Sequence, residues 1–543
     1  MRGDCSTIFR RRFFGVDLAL ACLAQAHNLA ENVGNTVSRE ALTTVDNDDT
    51  NASQLPAILE DHQNSAAIAT AVGKRSKKGM AMDVMRGGLC LVGMLCLTLG
   101  VADSSRRLHA ADVSTRDYPS IQAAIDANPG REIFVAAGDH LLDTTLRITG
   151  AGTSLVGSGR LLMSDPARHI LEIEHARDVR IAGLTLSRPE GRQDTHKAGI
   201  LVSDSQDVTI ERVKVIDNRT RSGSIRLAGV RNGQIINCEI RNYMTIAIDD
   251  RTKNVELLGY AFRCIDGTGI VCDRCRGTMI QGNRIIEENL RPTPGIKDQH
   301  QLGKFTKKNA TKGLLISQDV WDAEYTNNWH QGSAIIVTGP TRSEFTRILA
   351  NQIENAAQGI DIHADRVLIA NNIVDNAFIG MKAMHGSRNV LVTGNHFSRN
   401  VLWSIGMMSG AGASPAIAAD GERPAVAANV DGGSLIANNV ISQFGHGDSY
   451  WMWKEASRAV FRFDDGQEVS DPPLRDVLVT GNLISNPDPD ETPAEKDDAS
   501  ETPRYHFAVR IESGKANSPR GLYFANNIFP AGSSGVSNLK LEP

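Results

Sequence analysis

An asparagine returns along this chain two residues ahead of an aliphatic residue or Phe: Asn283, Asn351, Asn371, Asn395, Asn438, Asn482 and Asn526 precede Ile285, Ile353, Ile373, Phe397, Val440, Ile484 and Ile528. Each lies in a short alternating run such as Val390-Leu-Val-Thr-Gly-Asn-His-Phe397. Alternation of period two marks strand rather than helix. From Asn351 to Asn371 is 20 residues and from Asn371 to Asn395 is 24, and later steps lengthen to 43 or 44 where polar segments intervene. One step per coil predicts a parallel β-helix. Its coils stack at roughly 4.8 Å, so an asparagine at the same bend of each coil can hydrogen-bond to its copies above and below. These asparagines are read as a structural ladder.

The 49 glycines and 5% aromatic content suit a thin solenoid whose strands are punctuated by glycine and asparagine turns. A formal net charge of -5 leaves no basic footprint for nucleic acid, and the clusters Arg10–Arg12 and Lys74–Lys78 lie outside the repeats. Residues 1–84 carry no repeat and are expected to be a non-native or disordered extension. Residues 85–111 read as a signal peptide: Met85-Arg86, an apolar stretch from Leu89 to Leu99, then small residues up to Ala102 and Ala111. The stretch is short for a bilayer span. The expected mature chain is secreted, periplasmic or at the cell surface, has no integral membrane span, and is a monomer.

Cys238, Cys264, Cys272 and Cys275 follow the signal. Export makes a disulfide among them plausible, Cys272-Asp-Arg-Cys275 alone is a weak zinc signal, and buried thiols are the third option. Cys238 stands where a ladder asparagine is expected.

Asp117–Asp126 reads as an amphipathic turn of helix and Ile133–Gly138 as a strand stopping at glycine, a pair suited to plugging the open end of a coil stack. This opening, Ser-Ile-Gln-Ala-Ala-Ile before a strand ending in Gly, resembles the pectin-lyase-like superfamily. The resemblance extends over 112–530. It implies an all-β fold, a right-handed parallel β-helix with an N-terminal capping helix and long inter-coil loops, here 287–331, 409–433 and 486–503, with 531–543 as a C-terminal tail. Lyases, hydrolases, epimerases and inert spikes share that fold.

Each coil carries a second strand introduced by a small residue, among them Ser224-Ile-Arg-Leu, Thr245-Ile-Ala-Ile-Asp-Asp, Gly269-Ile-Val-Cys-Asp, Gly359-Ile-Asp-Ile-His and Gly380-Met-Lys-Ala-Met-His. Set in register, their outward positions collect Arg226, Asp249, Asp250, Asp273, Asp361, His363, Lys382 and His385 on one face. Asp361 and Lys382 are expected one coil apart. The segment 287–331 adds Lys304, Trp321 and Trp329, basic groups and aromatic platforms suited to an anionic sugar chain.

Gly359-Ile-Asp361-Ile-His363 resembles the YGxDPH motif of mannuronan C5-epimerases, with Gln358 in place of its Tyr and Ile362 in place of its Pro. The resemblance implies an acid/base role for Asp361 and His363. A uronate lyase or epimerase removes C5–H once the neighbouring carboxylate is neutralised, here by Arg226 or lysines, or by Ca²⁺ held at Asp249, Asp250 and Asp273. Lys382 or His363 is the expected base, and Arg226, His385, Trp321, Trp329 and Lys304 the expected substrate contacts. The alternatives are a polygalacturonase-like glycoside hydrolase using Asp249, Asp250 and Asp273, for which the sole Gly445-His446-Gly447 lies several coils away, and a non-catalytic polysaccharide-binding β-helix.

The internal position of the signal predicts that translation begins at Met80, Met82 or Met85. Mass spectrometry of the native precursor should find no peptide from residues 1–79, and recovery of one would contradict this.

Overall fold

The computed structural model describes residues 113–543 apart from 251–258, 314–315, 327–328, 340–341, 411, 415, 417, 420–424, 426, 449–457, 467–469, 486–503 and 515–516. The expected extension, signal peptide and 486–503 segment fall outside these residues.

Parallel strands wind into a stack of coils. Among the described residues one sheet joins 22 strands and another joins 11. At the N-terminal end, α1 (Ile121–Ala127) is capped by Ser120, whose Oγ accepts the Ala123 N–H, and buries Ile121, Ala124 and Ile125. The 11-stranded sheet carries the site. Its relevant strands are β1 (Ile225–Ala228), β4 (Thr268–Asp273), β6 (Ser333–Thr338), β7 (Gln358–Ile362), β8 (Ile379–Ala383), β9 (Trp403–Met408), β10 (Ala459–Asp464) and β11 (Phe507–Ile511), with β2, β3 and β5 in a side sheet described below. Ile335, Ile360, Met381, Ile405, Phe461 and Val509 pair in register and all point into the core. The outward residues beside them, Ile336, Asp361, Lys382, Gly406, Arg462 and Arg510, pair in the same order.

The asparagine ladder runs through Asn283, Asn351, Asn372, Asn395, Asn439, Asn482 and Asn527. Each Oδ1 accepts both the backbone N–H and the Nδ2 of the asparagine before it, at 2.9–3.0 Å. Cys238 heads the ladder, its N–H donating to Asn283 Oδ1 at 2.8 Å.

This corrects the sequence register at three coils. Asn371, Asn438 and Asn526 are not rungs: each has φ near +55°, as do Gly282, Ala350, Gly394 and Gly481 at the equivalent place in other coils. Where two asparagines are adjacent, the first takes the left-handed bend that asparagine tolerates and the second turns inward. The one-residue slip exchanges faces. Ile373, Val440 and Ile528 are exposed, while Val374 and Ile441 are buried.

A second correction concerns Thr245–Asp250. This segment alternates as well as any coil strand, yet it forms no part of the 11-stranded sheet: β1 pairs directly with β4. Instead β2 (Thr245–Asp250) pairs antiparallel with β3 (Tyr260–Asp266), and β3 pairs with β5 (Phe305–Lys308) in a three-stranded sheet of its own. Glu287 ties both excursions to the stack. Fully buried, it accepts the N–H of Met244 at 3.0 Å and those of Asn289 and Leu290 at 2.9 Å. The segment from Glu287 to Gln331 then supplies α2 (Pro294–His300), β5 and α3 (Gln318–Ala323).

Cys238, Cys264, Cys272 and Cys275 are buried and form no disulfide with one another, and burial pushes the Cys238 thiol up to about 12. At the C-terminal end, the 531–543 segment bridges back onto the stack at Val509–Ser537 and Tyr523–Glu542. No helix among the described residues is long and apolar enough to cross a membrane.

The ladder predicts a contrast within one coil. Asn372→Gly strands the Asn351 N–H and Nδ2 and should lower stability by about 3 kcal/mol. Asn371→Gly, at φ +57°, should stay within about 0.5 kcal/mol. Urea unfolding measures both, and equal losses would contradict the assignment.

Candidate functional site

Asp361 leaves β7 on its outward side yet is only 4% exposed. Lys382, one coil on, brings Nζ to 3.3 Å from Oδ2, and Ser333, one coil back, points Oγ at the same oxygen at 3.5 Å. His363 Nε2 lies 3.0 Å from Oδ1. Its Nδ1 faces Thr338 Oγ1 at 3.3 Å. Burial alone would raise the Asp361 pKa, but the charges of His363 and Lys382 more than offset it and hold the carboxyl below its ordinary range. His385 completes the cluster, its ring centre 4.6 Å from that of His363 and edge-on to it. Burial and then the cationic neighbours His363 and Lys382 depress its pKa to about 4.

The stripe continues past Lys382. At Gly406 an added Cβ would meet the Trp403 ring at 2.6 Å, so the glycine lets the indole lie across the sheet. Arg462 follows, a residue the sequence reading passed over although Ala459–Asp464 alternates like its neighbours. Its Cζ lies 5.0 Å from the Trp403 ring centre and its Nε bonds Asp464 at 2.8 and 3.0 Å.

The structure thus brings Asp361, His363, Lys382 and His385 together. It does not assemble the expected cation site. Asp249 belongs to β2 in the side sheet, Asp250 pairs within the same hairpin, and Asp273 is engaged by Arg226 at 3.1 Å and Arg274 at 3.2 Å. Among the described residues no three His, Cys, Asp or Glu converge to hold an ion. The residues of the expected hydrolase pair likewise fall on different sheets, Asp249 and Asp250 on β2 and Asp273 on β4. Arg226 shares the stripe but stands three coil steps from Asp361, on the order of 14 Å, and is taken up by Asp273.

Trp321 and Trp329 are buried, at 7% and 0%, and are not open platforms. Trp321 packs near Phe305 with Lys308 Nζ 4.7 Å over its ring, and Trp329 stacks on His330 at 5.9 Å. Both tryptophans belong to the hydrophobic core shared with the coil stack. Lys304 is exposed in the side sheet and, among the described residues, makes no ion pair with the Asp361 cluster.

One further residue escaped the sequence reading. Asp431, 1% exposed, accepts the N–H of Gly386 at 2.9 and 3.0 Å and of Ser387 at 2.8 Å, directly behind His385. Burial raises its pKa to about 7, against those two donors and with Asp471 nearby.

A family profile described as a right handed beta helix region matches residues 175–302. A search of curated proteins finds no match. Among solved structures the chain is similar to the A-module of an Azotobacter vinelandii mannuronan C-5 epimerase, at 14% identity and TM-score 0.46, covering 79% of this chain and 100% of that one. It is similar also to a hyperthermoactive exopolygalacturonase from Thermotoga maritima, at 12%, 0.44, 73% and 84%, and to the Streptococcus pneumoniae surface adhesin PfbA, at 12%, 0.41, 79% and 98%. The fold is a right-handed parallel β-helix. A shared fold does not fix activity, so chemistry must be argued from the site.

Asp431 generates a pH prediction. Its folded pKa is raised, so its contribution to stability is fully present below the unfolded carboxyl value of about 4 and is lost as pH rises through about 7. Asp431→Asn should therefore flatten the fall in stability between those limits. Thermal unfolding across the range measures it, and an unchanged slope would contradict it.

Proposed function

We propose that the protein is an exported enzyme that removes the C5 proton of a uronate residue in an acidic polysaccharide, as a lyase or an epimerase. The observation that carries this reading is one buried carboxylate, Asp361, shared by an imidazole and an ammonium that reach it from its own coil and the next.

The roles follow from charge. Asp361 stays ionised, because its pKa is depressed, and is too weak a base to take a carbon-bound proton. It can instead stabilise the cation formed when His363 takes one, as a buried aspartate supports a histidine base. Lys382, with three donors and one carboxylate contact, can present its remaining N–H groups to the substrate carboxylate and neutralise it, which makes C5–H more acidic. The resemblance of Gly359–His363 to the epimerase motif points to the same substrate class, while Gln358 in place of Tyr leaves lyase and epimerase both open.

Asp361→Asn, His363→Ala and Lys382→Ala should each lower turnover on alginate or pectate by on the order of 10²-fold or more. Ultraviolet absorbance detects an unsaturated elimination product, and NMR in deuterated water detects epimerised or exchanged C5 positions. Unchanged turnover in all three variants would remove the site.

A further inference from the structure

His385 adopts a conformation that side chains other than glycine rarely take, φ +61°, and three separate contacts hold it there. Asp431 grips the two amides that follow, Gly386 and Ser387. Asn429 Nδ2 donates to the His385 carbonyl at 3.0 Å and to that of Gly412 at 2.6 Å. The N–H of Gly412 donates to His385 Nδ1 at 3.1 Å. Glycine is required opposite the ring, since a Cβ at Gly410 would lie 2.3 Å from Nδ1 and one at Gly412 3.0 Å from the ring's Cβ. Asn429 and Ser414 pair through both backbone N–H groups, which closes the base of this arm.

A nitrogen that accepts from a backbone N–H carries no proton, so the neutral His385 ring has its hydrogen on Nε2. Nε2 has no hydrogen-bond partner among the described residues. The charged and titratable groups facing the ring are His363, Lys382 and Asp361, and burial, followed by His363 and Lys382, opposes its protonation.

We infer that Gly412, Asn429 and Asp431 form a clamp that locks His385 as a neutral Nε2–H donor over the Asp361 cluster, with Asp431 and Asn429 as positioning residues. The donor role rests on the proposed uronate chemistry; the locked tautomer does not. When C5–H leaves for His363, the electron pair delocalises onto the substrate carboxylate, and Nε2–H offers that oxygen a hydrogen bond without giving up its proton. A neutral imidazole suits this work beside an ammonium, where a second cation would be costly.

The test is ¹⁵N–¹H NMR on the whole protein with labelled histidine, the His385 signals being assigned by their loss in His385→Gln. The expected result is a protonated Nε2 and a bare Nδ1 from pH 8 down to about pH 5, through the range in which an ordinary histidine titrates. A proton on Nδ1, or titration near 6.5, overturns the proposal. In Asp431→Asn and Asn429→Ala, two independent ways of loosening the arm, the His385 signals should show mixed tautomers or a titration moved toward the ordinary value; unchanged signals in both overturn the clamp. On a polyuronate, the same variants should lose about tenfold in kcat with less change in KM. A wild-type protein inactive on every polyuronate while His385 keeps the expected tautomer would defeat the uronate reading and leave the clamp standing.

Discussion

Everything in this molecule depends on one hydrogen bond repeated coil after coil, in which a buried asparagine carbonyl accepts the backbone and side-chain N–H groups of the asparagine before it. The bend where it occurs has left-handed backbone just before it, so the coil cannot continue its ladder of strand pairing there. An unsatisfied N–H at such a buried bend would cost about 1–3 kcal/mol, and the asparagine supplies the acceptor. By satisfying each bend from the next coil, the ladder also sets how the coils lie over one another. Register on the far sheet follows, and with it which outward side chains become neighbours.

Asp361 shows what that register achieves. A buried carboxylate is costly alone and becomes tolerable when an ammonium and an imidazole reach its oxygens. Lys382 reaches it only because the strands carrying them pair Asp361 with Lys382 rather than one residue off. The depressed pKa means that the pair contributes stability above the ordinary carboxylate range and loses it only as acid approaches the folded value. Asp431, behind His385, is by contrast raised to about 7 by burial.

The coil stack and the Asp361–Lys382 contact were legible because period-two alternation and a small residue before each strand fix inward and outward faces without knowledge of loops. Paired asparagines were not, since either member of Asn371-Asn372 fits the pattern and only the backbone bend decides. Thr245–Asp250 deceived for a related reason: a hairpin strand and a coil strand alternate alike, and the partner that decides, Tyr260–Asp266, carries the same signal. The tryptophans of the insertion looked like platforms because exposure is a tertiary property, and the fold packs them into the main core. Glu287 and Asp431 gave no sequence signal, as each works by accepting backbone N–H groups that any residues could provide.

The account stands or falls on Asp361 and Lys382 meeting through the winding of the chain. A double-mutant cycle in urea unfolding, with Asp361→Asn, Lys382→Met and the two together, measures this directly. The structure predicts a coupling of about 1 kcal/mol or more, because each single change leaves a mostly buried charge with part of its compensation gone. Additive losses would mean that the two side chains do not touch, and the site assembled around them would not exist.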